Sequence, residues 1–359
     1  MRKANYYGLI MAGGRGTRFW PRSRRGNAKQ VLRFFGEKSL VQDTVDRLKP
    51  LIPPDRIWVL TNDYLRAEIV RQLPEVPRRQ IIAEPAQRNT APCIGLAAHI
   101  LRSIDSDAVM GVFPADHVVS RPARYRRLLT PAFREGDRGR IAVLGMQPRW
   151  PETGYGYIEF PRGVRPGSLE ALPVRQFREK PDIETAREFL AAGRFYWNAG
   201  MFFWRAEVYL DALRKFLPKT AALLAALPPF SSRRFAGALA ETYPLCENIS
   251  VDYAVMERAS GVTGLASDDV GWDDIGSWNA FYELLPRDAE GNVTRGDTLL
   301  EASRGNYVES QGRLIALLGV ENLVVVDTPD ALLIADRSRS QQVGNIVKLL
   351  EKRKREELL

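Results

Sequence analysis

The chain has 359 residues, 45% of them apolar and 26% charged, which is ordinary for a soluble globular protein. No apolar run approaches the roughly 20 residues of a membrane-spanning helix, and Met1-Arg2-Lys3-Ala4-Asn5 leads straight into a strand-like segment with no signal-peptide core. The net charge of +9 is spread thinly, with short runs at Arg22–Arg25 and Lys352–Arg355 and no nucleic-acid-binding motif, so it points to an anionic small substrate rather than to nucleic acid.

Tyr6–Ala12 reads as a buried strand. It feeds Ala12-Gly13-Gly14-Arg15-Gly16-Thr17-Arg18, where glycines leave backbone N–H groups free to meet an anion. A dinucleotide fingerprint is excluded because Phe19 stands where its third glycine belongs, and a P-loop because no Gly-Lys-Ser/Thr follows. A phosphorylated substrate fits this loop; a plain glycine turn with solvated arginines is the other reading. Next, Ser39 can cap a helix to about Leu48, with Leu40, Thr44, Val45 and Leu48 on one face. Ile57–Leu60 is a second strand. Thr90 is predicted to cap a helix with Pro92 in its first turn and Cys93, Ile94, Ala97, Ile100 and Leu101 buried.

Ala108–Phe113 and Ile141–Met146 complete a strand–helix alternation that predicts a parallel or mostly parallel sheet covered on both faces. Ligands then sit at the strands' C-terminal ends, which places residues 12–18 and Asp116 on one rim. Asp116 follows a strand and a proline, suiting either a metal ligand or a turn aspartate. Residues 153–285 mix short strands with helical stretches such as Tyr209–Leu227. After a polar, glycine-containing change at Pro286–Arg295 come short runs at Thr298–Ala302, Tyr307–Glu309, Leu314–Leu318, Leu323–Val326 and Ala331–Ile334. Their spacing predicts a small β-helix or β-roll. Ser338–Leu359 reads as an amphipathic helix using Val343, Ile346, Val347, Leu349 and Leu350. Cys93 and Cys246 are far apart and without metal-ligand spacing, as in a reducing compartment, so cytoplasm is expected.

The Gly-Gly-x-Gly-Thr-Arg loop resembles that of sugar-1-phosphate nucleotidyltransferases. Matching segments follow in the family's order. They are Glu-Pro-Ala-Gln-Arg-Asn-Thr-Ala-Pro (84–92), Phe-Pro-Ala-Asp-His (113–117), Thr-Gly-Tyr-Gly-Tyr-Ile (153–158), Phe-Arg-Glu-Lys-Pro (177–181), Trp-Asn-Ala-Gly-Met-Phe (197–202), Ser-Val-Asp-Tyr-Ala-Val-Met-Glu (250–257) and Gly-Trp-Asp-Asp-Ile-Gly-Ser-Trp (271–278). Together they are similar to the mannose-1-phosphate guanylyltransferase branch. The resemblance implies an α/β fold: a Rossmann-like mixed sheet flanked by helices, with a C-terminal left-handed β-helix often used for dimer contacts. Residues 1–287 would be catalytic and 288–359 the β-helical module; the chain ends too early for the cupin-type isomerase domain of some relatives. The implied reaction is Mg²⁺-assisted transfer of GMP from GTP to mannose-1-phosphate in a cytoplasmic homodimer. The alternatives are another sugar phosphate or nucleotide, or a non-catalytic regulatory paralogue.

By the same resemblance, Asp116 and Asp274 hold Mg²⁺. Asp273 would bond locally, since neighbours on an extended backbone point to opposite faces. Arg18 and Lys29 would clamp the triphosphate, although Ala28-Lys29-Gln30 stands where the family usually has Pro-Lys-Gln. Ala12, Gly13, Gly14, Arg15, Gly16 and Thr17 would cradle the phosphates, and Glu84, Pro85, Asn89 and Thr90 would read the base, unless Arg88 and Asn89 only bond the loop. Tyr155, Gly156, Glu179, Lys180 and Asn198 are expected around the sugar phosphate, with Lys180 across an extended strand from Glu179. His117, Asp252 and Glu257 are expected in support.

Overall fold

The structure is a computed structural model and describes residues 5–359. Its strands, in chain order, are β1 (Tyr6–Met11), β2 (Ile57–Asn62), β3 (Ile81–Glu84), β4 (Val109–Pro114), β5 (Val118–Val119), β6 (Ala142–Met146), β7 (Tyr157–Glu159), β8 (Leu172–Pro173), β9 (Gln176–Arg178), β10 (Phe195–Arg205), β11 (Thr263–Ala266), β12 (Trp272–Asp273), β13 (Val293–Arg295), β14 (Thr298–Glu301), β15 (Tyr307–Glu309), β16 (Ile315–Leu318), β17 (Leu323–Thr328) and β18 (Ala331–Asp336). The described residues divide into two compact units, one of residues 5–13 and 42–272, the other of residues 14–41 and 273–359.

The first unit is built on a ten-stranded sheet with the order β3-β2-β1-β4-β10-β6-β11-β8, and β7 and β9 at its side. β3, β2, β1 and β4 run parallel. Their almost continuous apolar sequences are buried on both faces, as a parallel sheet covered by helices requires. The expectation of a mostly parallel sheet is corrected to a mixed one: β10 runs antiparallel to both β4 and β6, β7 runs antiparallel to β10 and β9, and β8 runs antiparallel to β11. The 11-residue β10 also shifts register between Asn198 and Phe202, with Gly200 at φ 63°. A bulge of this kind re-aims a side chain and bends the strand.

The first three α-helices are α1 (Leu40–Leu48), α2 (Asp63–Gln72) and α3 (Thr90–Ile104), and α3 lies against the sheet, burying Ile94, Leu96, Ala98, Ile100 and Leu101. Its N-cap is Asn89 at φ 64°, one residue before the predicted Thr90, because the Asn89 carboxamide oxygen accepts from the Thr90 N–H at 2.9 Å. Gly95 brings α3 close to its neighbours: a Cβ there would stand 2.6 Å from a methyl of Leu213 and 2.7 Å from one of Leu224. The helical stretch expected over Tyr209–Leu227 is two helices, Ala206–Phe216 and Pro218–Ala225. Pro218 has no N–H to continue the first and sits well at the start of the second.

In the second unit, β13, β15 and β17 stack in parallel, as do β14 and β16, and β18 closes the larger sheet antiparallel. Val308, Ile315 and Val325 fill the space between the coils. The turns are stacked too. The Asn292 side-chain oxygen accepts from the Asn306 N–H at 3.0 Å, and that of Asn306 accepts from the Leu323 N–H at 2.9 Å. Gly291, Gly305 and Asn322 repeat a positive φ beside this ladder. The C-terminal segment departs from one continuous helix: a 3₁₀ turn at Arg337–Val343 precedes the α-helix Gly344–Lys352. Val343 and Val347 are buried, whereas Ile346 and Leu349 are exposed, so the apolar stripe is narrower than its sequence implied.

Candidate active site

Four parallel strands of the first unit end on one rim, as expected for ligand-binding α/β sheets. Past β1, the Ala12 N–H donates to the Leu60 carbonyl at 2.7 Å, and the Ala12 carbonyl accepts from the Thr61 hydroxyl at 3.0 Å. The Gly13 carbonyl accepts from Asn62 Nδ2 at 3.2 Å. Glu84 ends β3, and a Cβ on Gly13 would lie 3.3 Å from its Oε2. A side chain on Gly13 would therefore crowd that carboxylate. Burial pushes the Glu84 carboxyl up to about 7, against hydrogen bonds from Tyr243 and Cys93 that lower it.

The 84–90 loop is firmly held. The Arg88 guanidinium donates to the Pro244 carbonyl, and the Thr90 hydroxyl accepts from the Val251 N–H at 2.8 Å. Arg88, Asn89 and Thr90 therefore all make loop-fixing bonds, while Glu84 presents a carboxylate oxygen at the rim.

Asp116 follows β4 with its side chain 38% exposed. The loop beneath it is braced by helix α1 (Leu40–Leu48): Arg47 donates to the His117 carbonyl at 2.8 Å, and Thr44 bonds the Ala115 carbonyl. Burial lowers the Arg47 pKa, against the nearby Tyr125, Asp43 and Asp116. His117 Nδ1 accepts from the Trp272 indole N–H at 3.2 Å, which places the imidazole proton on Nε2, 3.9 Å from an Asp116 oxygen. His117 is thus held through its carbonyl by Arg47 and through its ring by Trp272; Arg47 carries no sequence motif of its own, and Trp272 stands in the 271–278 segment, which gave it no role.

A third cluster in this unit gathers around the β10 bulge. The Asn198 N–H donates to the Gly156 carbonyl at 2.7 Å, and its Nδ2 donates to Asp252 Oδ1 at 2.9 Å. Glu179 Oε2 is buried with no protein partner and points at the space a side chain on Gly156 would fill. Such an orphan acceptor beside a glycine cradle fits a ligand hydroxyl. Glu179 Oε1 pairs with Lys180 Nζ at 2.7 Å. This corrects the expectation that the two side chains diverge: Lys180 has φ 45°, which turns its chain back onto Glu179. Tyr155 packs edge-on against Trp197 and Trp272. Asp252 opens a π-helical turn, Asp252–Met256, a conformation frequent at functional sites. Burial first, then the Glu179 charge, pushes the Asp252 carboxyl up to about 6.

The second unit holds the remaining candidates. A Cβ on Gly16 (φ 63°) would stand 2.7 Å from the Lys29 nitrogen and Cβ, so only glycine lets the loop close on that lysine. Gln30 Nε2 donates to the Gly14 carbonyl at 2.9 Å, and the Gly16 carbonyl accepts from the Ser23 hydroxyl at 2.6 Å. Lys29, only 6% exposed, donates from its ammonium to the Asp274 carbonyl. Arg18 and the Asp274 carboxylate flank Gly276: a Cβ there would be 3.2 Å from Arg18 Nη1 and 3.3 Å from Asp274 Oδ1. Asp273 is buried, and its Oδ1 accepts from the Ile275 N–H at 2.8 Å; Asp274 remains partly exposed. The structure thus brings Arg18, Lys29 and Asp274 together. Arg15 pairs with Glu351 at 2.5 Å, and Arg18 donates to Gln341 at 2.7 Å.

No group of three or more His, Cys, Asp or Glu among the described residues forms a ready-made ion cage. Asp116 in the first unit and Asp274 in the second each keep a partly exposed carboxylate, the kind of hard oxygen donor that divalent cations take.

The family described as nucleotidyl transferase matches residues 7–291, and a MannoseP isomerase/GMP-like beta-helix domain matches residues 299–350. Mannose-1-phosphate guanylyltransferases from Escherichia coli and Klebsiella pneumoniae are each 40% identical to this chain, over 97% of it and 74% of their own length. A solved structure from Thermus thermophilus, described as mannose-1-phosphate geranyltransferase, superposes with a TM-score of 0.84 at 33% identity, covering 97% of this chain and 99% of that one. The chain belongs to the nucleotidyl transferase family, and within it to the mannose-1-phosphate guanylyltransferases.

Proposed function

We propose that the chain transfers GMP from GTP to mannose-1-phosphate, giving GDP-mannose and pyrophosphate. The observation that carries this reading is the convergence of Arg18, Lys29 and the Asp274 carboxylate beside the glycine loop. A sugar-phosphate oxygen attacks the α-phosphorus, and the bond to the β-phosphate bridging oxygen breaks, its electron pair leaving with pyrophosphate. Such a displacement asks for positioning and charge neutralisation rather than a covalent intermediate. Ala12, Gly13, Gly14, Arg15, Gly16 and Thr17 line the triphosphate. Arg18 offers a planar fork and Lys29 a point charge. Glu84, with Pro85, Asn89 and Thr90 shaping its loop, meets the guanine. Glu179, Asn198 and the Gly156 backbone take the sugar hydroxyls, Tyr155 walls the ring, and Lys180 meets the sugar phosphate.

Enzymes of this family generally work with a divalent metal, and we assign Mg²⁺ to Asp116 and Asp274. When bound, it supplies positive charge to the phosphate oxygens as they separate. We further take residues 1–287 as catalytic and 288–359 as a left-handed β-helical module used in a homodimer. The outward apolar side chains of Leu299 and Leu318 support this. No helix among the described residues is long and apolar enough to cross a membrane; two unbridged buried cysteines fit the cytoplasm.

The test is pyrophosphate release with Mg²⁺, crossing GTP, ATP, UTP and dTTP against mannose-1-phosphate and glucose-1-phosphate. Release confined to GTP with mannose-1-phosphate is expected. Release with another pair would overturn the base or sugar assignment, and silence from the folded protein would point to a regulatory paralogue.

A further inference from the structure

Glu84 is held by residues far from its own loop. Its Oε1 accepts a hydrogen bond from the Tyr243 hydroxyl, 159 positions away in sequence, and the Cys93 thiol of α3 bonds the same carboxyl. Tyr243 is fully buried and opens a 3₁₀ turn, Tyr243–Leu245. The segment it begins touches the 84–91 loop again and again: the Pro244 carbonyl takes Arg88, the Ile249 carbonyl takes the Ala91 N–H at 3.2 Å, and the Val251 N–H reaches the Thr90 hydroxyl. With Oε1 occupied, Oε2 is left toward Gly13, at the rim.

We infer that Tyr243 is a positioning residue for guanine recognition, holding Glu84 so that Oε2 accepts from the N1–H and amino group of the base. The inference rests on the proposal that the 84–90 loop receives the base of GTP. Guanine shows two adjacent donors on that edge, and an ionised carboxylate shows only acceptors, so the pair is complementary. A protonated carboxyl would turn a donor toward donors. Burial drives the carboxyl toward that form, and the Tyr243 hydroxyl opposes it. The titratable groups facing Glu84 are Tyr243, from the turn, and Cys93, from α3; the end of β1 contributes backbone at Gly13.

The experiment is steady-state kinetics of wild type, Tyr243→Phe and Glu84→Gln from pH 6 to 9, with both Michaelis constants measured at each pH. Tyr243→Phe should raise the KM for GTP about tenfold near pH 7, the scale of a lost hydrogen bond to a charged group. Its KM–pH curve should move to higher pH while the KM for mannose-1-phosphate stays put. Glu84→Gln, permanently neutral, should show a raised GTP KM with that pH dependence gone. An unchanged GTP KM in Tyr243→Phe overturns the inference. So does an equal rise for both substrates with an unshifted pH curve, the mark of a merely structural tyrosine. Should Tyr243→Phe not fold, a wild-type pH dependence persisting in Glu84→Gln overturns it instead. Wild type that is inactive with GTP defeats the function proposal, and the inference falls with it; active wild type beside an indistinguishable Tyr243→Phe defeats the inference alone.

Discussion

The ammonium of Lys29 is hydrogen-bonded to the main-chain carbonyl of Asp274. The proposed triphosphate clamp is thereby fixed to the residue proposed to hold the metal, and neither is adjusted without the other. Lys29→Met should lower kcat/KM by about 100-fold or more, as expected for loss of a preorganised charge. Lys29→Arg should recover little, because the side chain leaves its backbone in a space closed by Gly16 and carries a wider head. Pyrophosphate-release kinetics check both.

The neighbouring aspartates should separate cleanly. Asp274→Asn should reduce turnover by about 100-fold or more with an unchanged melting temperature. Asp273→Ala should instead cost about 1–3 kcal/mol of stability by leaving the Ile275 N–H without its acceptor. Thermal melts run beside activity assays distinguish them. Near wild-type turnover in Asp274→Asn would remove it from the metal assignment.

At the cluster proposed to take the sugar, Glu179→Gln should raise the KM for mannose-1-phosphate about tenfold and that for GTP far less. Gly156→Ala should act in the same direction, because the new methyl collides with Glu179 Oε2. Equal effects on the two substrates would move both residues out of the sugar pocket.

Asp252 gives a pH signature. Its carboxyl is pushed up to about 6 in the folded chain, chiefly by burial, and ionises near its ordinary 3.8 when unfolded. Between those values the folded state holds a proton the unfolded state has released, so stability present below about pH 4 is lost as pH rises through about 6. Asp252→Asn keeps an acceptor for Asn198 and removes that loss. It should match wild type at pH 4 and exceed it at pH 7 by up to about 3 kcal/mol. Urea midpoints at the two pH values decide it.

The strand ends on the rim were legible because β1, β2 and β4 are unbroken apolar runs, and the glycine loop announces itself by composition. The short C-terminal strands were legible from their spacing. What the residues alone concealed are long-range partners. Nothing near Tyr243 marks it as the donor to Glu84, and nothing in α1 marks Arg47 as the support of the loop bearing Asp116. Alternation misled at Lys180, where a positive φ overrode the extended geometry assumed for it. The antiparallel course of β10 was hidden too, since a buried apolar run reads alike in either direction.

The glycine loop is moored to residues more than 300 positions away. Arg15 pairs with Glu351, Arg18 bonds Gln341, and the Trp20 indole donates to the Leu358 carbonyl at 3.0 Å. Head and tail of this chain are therefore one inheritance. A trimmed enzyme ending at residue 287 would keep every residue assigned to the chemistry and still cast the glycine loop adrift. A substitution in the closing helix, remote in sequence and innocent in appearance, would be felt first as a change in the handling of nucleotide.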